Sequence, residues 1–157
     1  MAFPFFAEDT FYIAVEPHCT LNEFEIATHT KAMLQAERCF DVNLIKSEVK
    51  CKVPFFIASY RMLSMVNAVT VRHNVIDGEL STSYELHFEV ILAALPFVFI
   101  AFVVASYFTI DMPATTAAFI VAGVAAGFAM TFMMTKRQFA TWLDRGLRKL
   151  PGLSASE

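Results

Sequence analysis

The side chains best suited to chemistry are three cysteines, Cys19, Cys39 and Cys51, and four histidines, His18, His29, His73 and His87. Thiolates and neutral imidazoles are the usual ligands of zinc, and zinc sites bring them in close pairs such as CxxC or HxxxH. The successive steps along Cys19, His29, Cys39 and Cys51 are 10, 10 and 12 residues, which meets no paired-ligand template. An odd number of widely spaced cysteines does not describe a disulfide framework either. Reduced, partly buried thiols in a cytosol-facing domain are the expectation. His73 falls on the apolar side of a strand pattern and reads as a core histidine. His87, Glu85, Glu89, Arg72 and the basic residues of the tail are the polar groups from which a membrane enzyme acting on a lipid or quinone would have to be built. The five glycines, Gly78, Gly123, Gly127, Gly146 and Gly152, form no phosphate-cradling loop, and no motif frames a Ser/His/Asp or Cys/His set. The chain is therefore expected to be no enzyme and to hold no cofactor and no metal.

What the sequence carries instead is an apolar block. Of the 157 residues, 57% are hydrophobic and the mean hydropathy is +0.53, against about 45–50% apolar for a soluble domain. Residues 90–110 and 114–135 are runs of 21 and 22 residues without a charge, separated by Asp111, Met112 and Pro113. A bilayer core about 30 Å thick needs about 20 helical residues, so each run predicts one crossing and the short loop 111–113 predicts a transmembrane hairpin over 90–135. Pro96 predicts a bend in the first helix. Asp111 is placed to cap the second, with Pro113 tolerated in its first turn. The first helix is rich in Phe, whereas the second is small-sided and contains Gly123-Val-Ala-Ala-Gly127, a GxxxG spacing. Gly123 and Gly127, with Ala122 and Ala126, predict a helix-packing face on which another backbone can approach closely. That face has two readings: packing inside the hairpin, or self-association and docking onto another chain. Neither run carries Lys, Arg, His or Glu at depth, the groups that transport and proton relay need.

Charge fixes the expected orientation. Residues 1–89 hold 7 basic and 12 acidic side chains, and residues 136–157 hold 5 basic and 2 acidic ones. Neither part is basic enough to suggest nucleic acid. The positive charge follows the second run at Lys136, Arg137, Arg145, Arg148 and Lys149, within the distance over which the positive-inside rule counts. The C-terminus is then cytoplasmic, and two crossings put the N-terminal part on the same side. Met1–Thr10 lacks the basic region of a secretory signal, so the first apolar run is expected to act as both signal and anchor. The expected location is a bacterial cytoplasmic (inner) membrane with both termini in the cytoplasm.

After the hairpin, Phe139, Trp142, Leu143, Gly146, Leu147 and Leu150 recur at helical spacing, with charged residues between them and Pro151-Gly152 as the stop. A basic stripe with Trp142 beside a membrane span predicts an interfacial helix over 136–157, with Lys136, Arg137, Trp142, Arg145, Arg148 and Lys149 at the membrane surface. The competing reading is a helix packed on the chain's own soluble domain. Residues 153–157 read as a frayed end.

Residues 1–89 predict a small α+β domain with an antiparallel sheet. Asp77-Gly78 is a two-residue hairpin turn that wants positive φ at both positions. It pairs Val69 with Leu86, Val71 with Tyr84, His73 with Thr82 and Val75 with Leu80 on an apolar face, and Thr70 with Glu85, Arg72 with Ser83 and Asn74 with Ser81 on a polar one. Residues 10–15 and 48–53 read as strands, and Thr20-Leu-Asn-Glu23 as a capping box before a helix reaching about Arg38. Residues 55–66 read as a short helix or a surface-seeking segment at the membrane.

The fold class expected is thus an α+β membrane protein: a soluble domain (1–89), a two-helix transmembrane hairpin (90–135) and a basic amphipathic interfacial helix (136–157). The function expected is a non-catalytic accessory or scaffolding subunit of a larger integral membrane complex. Its partners would be the lipid bilayer and other membrane protein subunits. The alternative is a membrane-anchored ligand-binding or sensory domain.

Overall fold

The computed structural model describes residues 6–16, 22–53, 66–88, 100, 102–104, 106 and 114–153. Within them the chain is α+β, with five strands and two long helices: β1 (Phe6–Ala14), α1 (Glu23–Ala36), β2 (Phe40–Ile45), β3 (Glu48–Lys52), β4 (Ala68–Ile76), β5 (Glu79–His87) and α2 (Ala114–Leu147). The strands form one antiparallel sheet in the order β1-β5-β4-β3-β2.

The β4–β5 hairpin has the register read from its turn: every one of the seven pairs named above is present. Asp77 and Gly78 take φ of 53° and 81°, the left-handed geometry that lets a two-residue loop follow the twist of the strands. β1 extends the 10–15 strand toward the N-terminus and lies antiparallel beside β5, with Ala7 opposite Leu86 and Ile13 opposite Leu80. β3 agrees with the reading of 48–53. β2 has no counterpart in the sequence reading. It is an edge strand whose pairing with β3 slips between Phe40 and Asn43, so its inward residues, Val42 and Leu44, are only half buried.

The cap of α1 lies two residues past the one predicted. Asn22, not Thr20, is the N-cap: its Oδ1 accepts from the Glu25 N–H at 2.9 Å, and Glu25 Oε2 accepts from the Asn22 N–H at 3.2 Å. This reciprocal box satisfies two of the orphan donors at the helix start. α1 buries Ile26, Ala27, Thr30 and Leu34, a row at spacing four laid on the apolar face of β3 and β4.

α2 is one unbroken helix of 34 residues, about 51 Å long at 1.5 Å per residue. It begins at Ala114, where the second apolar run begins, and continues through residues 135 and 136 without interruption. Its two halves have opposite surroundings. From Thr115 to Met134 the described side chains are exposed or half-exposed; Phe119 is 80% exposed and Met133 71%. From Thr135 onward the helix lies on the sheet. Phe139, Leu143 and Leu147 are fully buried, the Phe139 ring meets Tyr84 edge-on at 5.1 Å, and the Tyr84 hydroxyl donates to the Lys136 carbonyl at 3.3 Å.

This corrects the interfacial helix. The apolar stripe of residues 139–147 is buried on the sheet and cannot face a headgroup layer. The sheet's inner face over β1 and β5 is otherwise uncovered by α1, and burying a Phe or Leu side chain there stabilises by about 1.5–3 kcal/mol each. Leu153 is likewise not frayed: it is 4% exposed and bridges Val15, while the Glu16 N–H donates to the Gly152 carbonyl at 2.9 Å.

The core thus lies between one sheet face and two helices, α1 over β2–β4 and the second half of α2 over β1 and β5. The stretch Ala118–Leu147 is long and apolar enough to cross a membrane, and its most apolar 18 residues are only 6% buried. The core helix of a soluble protein is mostly buried, whereas this stretch is mostly exposed. Of the first apolar run, Ile100, Phe102, Val103, Val104 and Ser106 are described and helical. The Pro96 bend, the Asp111 cap, Glu89 and all but the last residue, Val66, of the segment 55–66 lie outside the described residues, as do Cys19 and His18.

Candidate functional site

Where α2 changes from exposed to buried, a groove of about 750 Å³ opens between it and α1. The helices come together at Gly146. A Cβ there would collide with the Met33 thioether, its Sδ only 2.6 Å away, and the Gly146 carbonyl accepts from the His29 ring at 3.2 Å when Nε2 carries the proton. One wall is His29, Met33 and Ala36 of α1 with its C-cap Glu37. The other is one face of α2 and the turn after it, with Arg137, Thr141, Arg145 and Lys149 at spacing four, and Met134, Gln138, Trp142 and Gly146 beside them. Trp142 stacks at a tilt on Phe139, ring centres 5.5 Å apart.

The structure divides the six basic and aromatic residues predicted for the membrane surface. Lys136 Nζ pairs with Asp9 Oδ2 at 3.1 Å, tying α2 to the edge strand β1. That hydrogen bond holds the Asp9 carboxyl below its ordinary pKa. Arg148 pairs with Asp144 one turn earlier, at 3.0 Å. Arg137, Arg145, Lys149 and Trp142 line the groove, and among the described residues no carboxylate forms an ion pair with those three cations. Gly123, Gly127, Ala122 and Ala126 are exposed, and no described atom lies within 4 Å of a Cβ built on either glycine.

Two buried groups that could do chemistry are engaged within the core. His73 is 1% exposed; its Nε2 lies 2.8 Å from Thr30 Oγ1 and its Nδ1 3.1 Å from Thr82 Oγ1. Burial lowers its pKa to about 4, so it is a neutral core histidine bonded on both sides. Cys39 and Cys51 are free and buried. The neighbouring Cys51 thiol lowers the pKa of Cys39, while Cys39 and burial push Cys51 up.

On the outer face of the sheet Arg72 links two strands: its Nε pairs with Glu48 at 2.9 Å and its Nη1 with Glu85 at 3.1 Å. Burial opposes ionisation of Glu48, but Arg72 and Lys50 outweigh it and keep the carboxyl below its ordinary pKa. His87 Nε2 sits 3.7 Å from Glu85. Among the described residues, Arg72, Glu85 and His87 lie on the sheet face opposite the one that α2 covers. Among the described residues no three His, Cys, Asp or Glu side chains are grouped to hold a metal ion.

The groove was not legible in advance, because the His29–Gly146 contact joins positions 117 residues apart. The signal that was available is the spacing of Arg137, Thr141, Arg145 and Lys149, which places these cations on one line. No protein-family model, no curated protein and no solved structure matches this chain.

Proposed function

We propose that the chain is a non-catalytic accessory subunit of an integral membrane complex, anchored through its apolar helices and holding its sheet domain at the cytoplasmic surface of a bacterial inner membrane. The observation that carries this reading is the division of α2: an outward-facing apolar half about 30 Å long joined without a break to a half fixed in the domain core. An anchored domain of independent function has no need of so rigid a joint, whereas a subunit that fits between other chains does. The orientation follows from Lys136, Arg137, Arg145, Arg148 and Lys149 after the apolar half. Gly123 and Gly127 offer the approach surface for a neighbouring transmembrane helix, of another subunit or of a second copy. The measurement is purification at native abundance in mild detergent. Co-purifying membrane subunits, lost on Gly123→Leu with Gly127→Leu, are the expected result. A monodisperse particle of single-chain mass with no partner overturns the proposal.

A second reading, a membrane-anchored ligand-binding domain, is favoured by the α1–α2 groove, whose volume lies in the range of small-molecule sites. A change in the thermal unfolding of the full chain on adding a ligand class would support it.

A further inference from the structure

We infer that the groove between α1 and α2 is a binding site for the headgroup of an anionic phospholipid. The inference rests on the membrane reading of α2.

Three features of the groove select this occupant. The first is charge. Arg137, Arg145 and Lys149 line it against one carboxylate, Glu37, and none of the three forms an ion pair with a described carboxylate. A lined cavity with two net positive charges attracts an anion, and a guanidinium binds a phosphate oxygen pair through two parallel hydrogen bonds. The second is apolar surface. Met33, Met134 and Trp142 share the same groove, which a bare phosphate would leave uncovered and a glycerol backbone with the start of its acyl chains would bury. The third is position. Met134 is the last residue of the exposed apolar half of α2 and Arg137 follows within one turn, so the mouth of the groove opens at the depth where a bilayer's phosphates lie when residues 114–134 span it. The acyl chains would then continue along the exposed face of α2 and the phosphate would turn in toward Arg137 and Arg145.

A side chain at Gly146 would meet the flexible end of Met33 and push it aside.

Trp142 is the only tryptophan in the chain and lines the groove, so its fluorescence reports occupancy. The experiment is titration of the full chain in detergent micelles with brominated phosphatidylglycerol and, separately, brominated phosphatidylcholine. Saturable quenching by the anionic lipid at concentrations well below those needed for the zwitterionic one is expected. Arg137→Gln with Arg145→Gln should weaken the anionic lipid about thirtyfold, the effect of two basic groups near an anionic headgroup. Lys50→Gln with Lys52→Gln, on the exposed face of β3, should leave it unchanged. Equal quenching by both lipids, equal loss in both double variants, or full displacement by millimolar inorganic phosphate overturns the assignment. Resistance of the chain to alkaline extraction from membranes reports anchoring alone, so failure of the anchor and failure of the groove are separate results.

Discussion

Lowering the pH should destabilise this domain through one residue, His73. Its imidazole is 1% exposed and sits between the hydroxyls of Thr30 and Thr82 at 2.8 and 3.1 Å. Either hydroxyl can rotate to accept a hydrogen bond from a protonated ring, so the hydrogen bonds do not resist protonation. Burial does, and it lowers the pKa from 6.5 to about 4. Above pH 6.5 the folded and unfolded chains both hold a neutral imidazole, and this group makes no pH dependence. Between 6.5 and 4 the unfolded chain takes up a proton that the folded chain refuses, so stability falls as the pH falls. The loss amounts to about 2 kcal/mol by pH 5 and levels off near about 3 kcal/mol below pH 4. The assay is urea unfolding of the full chain in detergent micelles, followed by the fluorescence of Trp142, with His73→Gln as reference. Asp9, Asp41 and Glu48, whose pKa values are also lowered, lose stability toward low pH in both proteins and cancel in the difference. The wild type should lose about 2 kcal/mol more than His73→Gln between pH 7.5 and pH 5. Two curves that stay parallel over that interval refute the buried, neutral imidazole.

Phe139→Ala should lower unfolding stability by about 3–5 kcal/mol, because this fully buried ring joins α2 to Tyr84. Met130→Ala, 64% exposed in the apolar half, should stay within about 0.5 kcal/mol, and equal losses by urea unfolding would refute the division of α2. Arg72→Ala should cost no more than about 1 kcal/mol despite two ion pairs, since its side chain is 52% exposed and solvent screens it; a loss above about 2 kcal/mol would contradict that. Iodoacetamide should modify Cys39 ahead of Cys51 in peptide mapping, because the thiolate is the nucleophile and Cys39 ionises first. In Cys51→Ala the pH–rate profile of Cys39 should move to higher pH, and an unmoved profile would refute the influence of Cys51 on Cys39.

How much of the fold could be read from the sequence depended on whether a local rule also named the partner. At Asp77-Gly78 it did. A two-residue turn sets the register, the period of two sets the face, and β4 and β5 pair as read. At Phe139, Trp142, Leu143, Gly146 and Leu147 the helical period said that one face is covered and was silent on what covers it. Lipid and sheet make the same demand on a side chain, and the basic residues between favoured lipid. The sheet has the stripe, because β1 and β5 bury Ile13, Leu80, Tyr84 and Leu86 on the face where Phe139 meets Tyr84. β2 was missed because Asp41 and Asn43 are poor strand formers and a register slip at this edge breaks the alternation. The capping box was misplaced by two residues because Thr20 with Glu23 and Asn22 with Glu25 both satisfy the same spacing. The groove needed α1 and α2 side by side, a contact between distant segments that no local period records.

The unbroken passage of α2 from exposed rod to buried core sets an angular phase between the two. Each residue turns the helix by about 100° and advances it 1.5 Å. A single insertion between Thr131 and Met134 would therefore swing the whole sheet about a third of a turn around the rod, while lifting it by less than the width of an atom. Seven inserted residues would nearly restore the facing direction at a distance about 10 Å greater. Direction and height of the domain are two separate dials on one helix, and the number of residues between Gly127 and Phe139 fixes both.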